Sequence, residues 1–139
     1  MPTDGTAAGY SGTPLPAKLG IRRGSRVLLD GPPPGFALDP LPDGVSLHRR
    51  PGGDPYDIVL LFAPDAARLH ARWPALVDRL ETAGRLWVCW PKKSSGVPTD
   101  LTENVIRDFG LAQGLVDVKV CAVDATWSGL AFVRRLTDR

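Results

Sequence analysis

The chain has 139 residues, of which 43% are hydrophobic and 23% charged, and it carries a formal net charge of +2. That length and balance suit one globular domain able to bury its own core. They exclude a membrane helix, because no apolar run nears the roughly 20 residues a span needs. They also disfavour a nucleic-acid binder, because the basic residues form only small clusters: Arg22, Arg23 and Arg26; Arg49 and Arg50; Lys92 and Lys93. Cys89 and Cys121 sit in apolar runs without CxxC spacing, and His48 and His70 are far apart. Both cysteines therefore read as core residues, and no metal site is expected.

In chain order, Met1 to Gly9 is small and polar, without the apolar core and basic start of a signal peptide. It is expected to be a flexible tail (residues 1–9) ahead of a single domain (residues 10–139), in a cytoplasmic setting. Thr13 to Gly20 predicts one short helix, with Thr13 as cap, Pro14 in the first position and Gly20 as stop. Arg26 to Asp30 is a nearly continuous apolar run, the mark of a strand covered on both faces. Gly31-Pro32-Pro33-Pro34-Gly35 breaks it, and a short helix over Phe36 to Leu41 follows as a weak signal. Val45 to Arg49 reads as a second strand, Arg50 to Pro55 as a loop, and Asp57 to Phe62 as the clearest buried strand.

Leu69, Trp73, Leu76, Val77 and Leu80 repeat at helical spacing, which predicts a helix over 64–83, kinked at Pro74 and ended by Gly84. Arg85 to Trp90 is the next strand. Trp87 and Trp90 have odd separation and are expected on opposite faces of the sheet, packed in the core. Asp100 followed by Glu103 predicts a helix cap, with Leu101, Val105 and Phe109 on one face and Gly114 at the end. Val116 to Ala122 alternates as a half-buried strand, Asp124 to Gly129 turns, and Leu130 to Arg135 returns. Strands alternating with helices imply a parallel sheet, and the tight last connection makes the final pair antiparallel. The fold expected is a reduced Rossmann-like α/β sheet, mostly parallel with a C-terminal antiparallel hairpin. That finish is similar to the class I S-adenosylmethionine-dependent methyltransferases.

Ligands of such sheets bind at the carboxyl ends of the strands, near the switch point. The resemblance implies a glycine-rich loop after the first strand and an acid after the second. The chain has Asp30-Gly31-Pro32-Pro33-Pro34-Gly35 and His48-Arg49-Arg50 instead. Prolines lack the N–H donors, and cations cannot accept bonds from ribose hydroxyls. The scaffold therefore reads as degenerate, and no cofactor is expected. Lys92-Lys93-Ser94-Ser95-Gly96 lies past a strand end, where two ammonium groups, two hydroxyls and a permissive glycine suit an anion or a solvated loop equally. Arg49 and Arg50, and Asp30, are placed at the same edge. Trp127, in the last turn, is left three roles: to close over the crevice, to contact another chain, or to fold back on the hairpin. No nucleophile elbow, Ser/Cys–His pair or carboxylate dyad stands out.

Trp90-Pro91-Lys92-Lys93-Ser94-Ser95-Gly96-Val97-Pro98-Thr99-Asp100 resembles the hallmark loop of a bacterial domain family of unknown function, found mainly in actinobacteria. Gly9 to Leu15, Gly114 to Asp124 and Thr126 to Leu130 are similar to the same family. The resemblance implies a small bacterial protein and no particular activity, and it assigns no catalytic residue. The function expected is a non-enzymatic binding or regulatory module taking an anionic small molecule at the strand edge. The alternative is an enzyme or binder for a phosphorylated metabolite or nucleotide, with active methyl transfer behind it. A homodimer or protein partner is a further expectation, through Trp127 and the final hairpin.

Overall fold

The structure, a computed structural model, describes residues 12–139. The tail expected at residues 1–9, and the family-like Gly9, Tyr10 and Ser11, lie outside them. The elements are α1 (Leu15–Lys18), β1 (Arg26–Asp30), β2 (Ser46–His48), β3 (Tyr56–Phe62), α2 (Ala66–Asp78), β4 (Leu80–Pro91), α3 (Glu103–Ala112), β5 (Leu115–Ala122) and β6 (Trp127–Arg134). One six-stranded sheet runs in the order β2-β1-β3-β4-β6-β5. β2, β1, β3 and β4 are mutually parallel, while β6 is antiparallel to both β4 and β5. The mostly parallel sheet with a closing hairpin is therefore as expected.

The two faces of the sheet are covered differently. On one, Val59, Leu61, Leu86, Val88, Trp90, Leu130 and Phe132 pack with Leu69, Trp73 and Leu76 of α2 and Ile106 of α3. On the other, Val27, Leu29, Leu60, Phe62, Trp87 and Ala131 meet Leu19, Ile21 and Leu38, with Leu15, Phe36 and Leu41 around them. A four-residue helix and an irregular segment thus do on this coil face what two long helices do on the helical face. The buried Trp87 indole pins that cover by donating to Leu19 O at 2.9 Å. Trp87 and Trp90 face opposite ways, as their spacing requires.

Several local expectations are corrected. The cap position of α1 is Pro14, without a side-chain cap, rather than Thr13. Phe36 to Leu41 is not helical: Pro40 and Pro42 push the residues before them out of the α region. The chain there is instead shaped to place Leu38 in the core. α2 continues through Pro74 but stops at Asp78, not Ala83. Leu80 pairs with Tyr56. Gly84 does not end a helix; it lies in β4, where a Cβ would meet Tyr56 O and Glu81 O at 3.0 Å. α3 is capped by Thr102, whose Oγ1 accepts from Val105 N at 3.2 Å, and not by Asp100. Its buried face is Ile106 and Gly110, and Val105 is exposed. The alternation in β5 is undone by a bulge between Asp117 and Lys119, which leaves Val118 and Val120 exposed at the sheet edge. Cys89 is fully buried, whereas Cys121 is only half-buried. Among the described residues no helix is long and apolar enough to cross a membrane.

Gly110 of α3 lies against β6, where an added Cβ would overlap the Phe132 ring. Gly110→Ala is expected to lower unfolding free energy by about 1–3 kcal/mol through overpacking, read as a lower urea midpoint. An unchanged midpoint would show that the ring can move aside. Burial pushes the Cys89 thiol well above its ordinary range, with the charges of Cys121 and Asp124 adding to it. Burial also raises Cys121, against the opposing pull of Lys18 and Lys119. In the unfolded chain both thiols ionise at about pH 8.5. The unfolded state thus releases protons first, so stability is full below that pH and falls as pH rises toward the native values. Urea midpoints between pH 8 and 10.5 are expected to decline, and Cys89→Ala to flatten the decline. An equal slope in that variant would place the titration elsewhere.

Candidate functional site

The chain leaves β1 toward β2 on one side and returns to β3 on the other, so the switch point lies between the ends of β1 and β3. Asp30 ends β1 almost fully buried, where a carboxylate requires partners. They come from the first two turns of α2. Arg68 Nη2 donates to Asp30 Oδ2 at 2.8 Å. Arg72 grips both oxygens, Nε to Oδ2 at 3.1 Å and Nη2 to Oδ1 at 3.0 Å. Arg68 Nε also donates to Phe62 O at 3.0 Å, so one guanidinium bridges the ends of β1 and β3. It lies directly against Gly31, where even a Cβ would collide with it.

The residues here do not fit S-adenosylmethionine. The turn after β1 has three prolines without N–H groups, and Phe36 N closes it onto Pro33 O at 3.1 Å. Arg68 fills the space over Gly31 that a ligand would approach. Beyond β2, Arg49 and Arg50 are exposed in the loop that leads to β3. Arg26 holds that loop at the opposite end of the sheet, donating to Gly52 O and Asp54 O at 3.0 Å. Tyr56 Oη contacts His48 Nδ1 at 3.0 Å and donates to Gly52 O at 3.1 Å. Arg49 and Arg50 are therefore not brought together with Lys92 and Lys93, because β1 and β3 separate β2 from β4.

A pocket of about 590 Å³ opens instead at the end of β4. The loop after β4 makes a 3₁₀ turn over Lys93–Ser95 and reverses at Gly96, whose φ of +76° suits glycine. Trp90, Pro91, Val97, Pro98 and Leu101 form the apolar walls, and Lys92, Lys93, Gly96 and Glu103 contribute the rest with Thr99 and Thr102. Ser94 and Ser95 are not in the wall. Ser95 Oγ donates to Lys92 O at 2.7 Å and accepts from Val97 N at 3.2 Å, so its hydroxyl braces the loop. Asp100 ties the loop to α2, accepting from Ala66 N at 2.8 Å. Lys92 and Lys93 have no carboxylate partner among the described residues, whereas Glu103 is paired with Arg107. Hydrogen bonds to Asp117 and then Glu103 hold the Arg107 guanidinium more firmly protonated than usual.

Trp127 does not cover this pocket. Its ring meets Phe62 edge-on at 5.3 Å, and Phe62 meets Phe36 at 4.8 Å, closing the coil face near the strand ends. Asp124 Oδ1 accepts from Thr126 N and Trp127 N, both at 2.8 Å, and fixes the turn. Among the described residues no group of three or more His, Cys, Asp or Glu is placed to hold a metal. Arg68 and Arg72 were not singled out by sequence, since two arginines four apart on a helix look like a solvated face. The signal that marks them is an acid at the end of an otherwise buried strand.

No family model matches the chain, and no curated protein sequence matches it. Solved structures do. N-methyltransferase NodS from Bradyrhizobium japonicum WM9 is similar with a TM-score of 0.52 at 14% identity, over 79% of this chain and 85% of that one. An rRNA methylase from Streptococcus thermophilus matches with a TM-score of 0.52 at 11% identity, over 84% and 92%. TrmN from Thermus thermophilus matches with a TM-score of 0.52 at 13% identity, over 87% of this chain but only 47% of that one. The fold is a Rossmann-like α/β sheet of the class I methyltransferase type. Identities this low define the fold alone.

Asp30→Asn keeps the side chain's shape but removes the charge that two guanidiniums share. It is expected to lower stability by on the order of 2 kcal/mol, less than for a fully buried pair because Arg68 and Arg72 stay about one-third exposed. A chemical-denaturation midpoint equal to that of the parent chain would show that the ion pairs add nothing.

Proposed function

We propose that this chain is a non-enzymatic binding module, a methyltransferase-like sheet that has closed its cofactor crevice and takes an anionic small molecule at the end of β4. The observation that carries this reading is the Arg68 guanidinium spanning Asp30 and Phe62 O across the switch point. A bound adenosyl compound has to displace that bridge, which leaves the buried carboxylate to Arg72 alone and takes the Arg68 donor from Phe62 O before any contact forms. The pocket beside β4 supports the second half: its lysines have no carboxylate partner among the described residues, and its one acid is paired with Arg107. No general base stands free in its wall, which favours binding over turnover. The loop that builds the pocket is the same Trp90–Asp100 stretch that carries the bacterial family resemblance, so we propose that the family's hallmark is this pocket. Two free thiols suit a cytoplasmic setting.

Thermal-shift and calorimetric titrations test this directly. S-adenosylmethionine and S-adenosylhomocysteine at millimolar concentration are expected to leave the melting temperature unchanged. A nucleotide or sugar phosphate near 100 times its dissociation constant would stabilise by about 2.7 kcal/mol. Lys92→Ala with Lys93→Ala is expected to abolish that gain. Saturable uptake of S-adenosylmethionine, lost on substitution around Gly31, would overturn the reading.

A further inference from the structure

We propose that the β4 pocket selects an amphipathic anion, an apolar body bearing one carboxylate, sulfonate or phosphate group, and that Arg107 tunes this preference by neutralising Glu103. The inference rests on the reading that this pocket is the binding site, and it names the ligand class. At about 590 Å³ the cavity has the size of a small-molecule site and far exceeds what an inorganic ion fills. Its walls are largely rigid and apolar: Trp90 is buried in the core behind it, and Pro91 and Pro98 have few torsions to freeze. Val97 is 44% exposed there, apolar surface that a ligand can cover. A phosphate alone would leave these walls wet, and a neutral hydrocarbon would leave two ammonium groups unanswered.

The charge balance is set in the wall itself. Lys92 and Lys93 attract an anion, and Glu103 would repel it. Arg107 hydrogen-bonds Glu103 and is anchored from behind by Asp117, with Nε to Oδ2 at 2.8 Å. Asn104 Oδ1 accepts from Arg107 Nη1 at 2.9 Å, which fixes the guanidinium further. The ion pair spans one turn of α3, so the helix holds the screening cation at the pocket's edge. Without Arg107 the pocket would present a bare carboxylate in the same wall as its lysines, and its preference for anions would weaken.

The test is calorimetry on the full chain with three probes: 2-naphthoate, inorganic phosphate and neutral 2-naphthalenemethanol. Naphthoate is expected to bind about tenfold or more tighter than either of the others, because only it uses both walls and charge. Arg107→Gln is expected to weaken naphthoate by up to about fivefold and leave the neutral alcohol unchanged. Adding Glu103→Gln to Arg107→Gln is expected to restore naphthoate binding. That double variant shares the lost Asp117 bond, so recovery separates charge from any folding defect. Phosphate binding as tightly as naphthoate would overturn the ligand class and leave the anion reading standing. Equal binding of acid and alcohol by the parent chain would overturn the preference for an anion and with it the reading beneath, and no rescue in the double variant would overturn the role of Arg107. Binding of none of the three would bring down both this inference and the reading beneath it.

Discussion

The structure turns on one buried carboxylate. Asp30 sits at the end of the strand next to the switch point, 5% exposed, and a charge so placed is tolerable only when paired. Arg68 and Arg72 pair it, and in doing so they fix α2 against β1. Arg68 adds the Phe62 carbonyl, so the ends of β1 and β3 are clasped by the same group. In the first turn of α2, Arg68 N is taken by Asp65 and Ala66 N, from another loop, by Asp100. Through Asp100 the pocket loop is hung on the helix that the arginines orient. Closing the crevice and shaping the pocket are therefore consequences of one arrangement.

The coil face makes the same point in another way. A parallel strand normally returns through a helix, yet β1 reaches β2 through residues 31–45 without one. Prolines stiffen that segment and lower the entropy of the unfolded chain. They also take away the amides that a nucleotide-binding turn would offer. Leu38 and Phe36 give the segment its packing, Leu38 in the core and Phe36 against Phe62. A segment committed to covering the sheet in this way is poorly suited to cradling a phosphate or an amino acid.

Much of the fold was legible because its central strands are buried on both faces, and such strands are written as unbroken apolar runs. Asp57 to Phe62 and Arg85 to Trp90 needed no tertiary information. The errors came where a local pattern met a distant competitor. Asp100 and Glu103 have the spacing of a cap, but Ala66 N, 34 positions away, claims the Asp100 carboxylate. Glu81 to Ala83 suit a helix, but Tyr56 takes Leu80 into the sheet and leaves room only for glycine at position 84. The alternation of Val116, Val118 and Val120 failed because a bulge is set by the partner strand, not by the strand's own residues. Of the candidate residues singled out by position in the sequence, Lys92, Lys93 and Gly96 line the pocket beside β4. Arg49 and Arg50 lie apart from them, on a loop whose return path is fixed by remote contacts such as those of Arg26.

A net charge of +2 says little about where charge is felt. At the carboxyl edge of this sheet the acids are engaged: Asp30 by two arginines, Asp65 and Asp100 by amides of α2, Asp124 by its own turn, Glu103 by Arg107. Lys92 and Lys93 have no acidic partner among the described residues. Engaged carboxylates have part of their field cancelled at short range, while unpaired ammonium groups project theirs into the pocket, within a Debye length of any ligand. Positive potential is thus concentrated beside β4 without a basic patch in the sequence. The sign of the field at that edge follows from which charges are left over once the fold has satisfied its own.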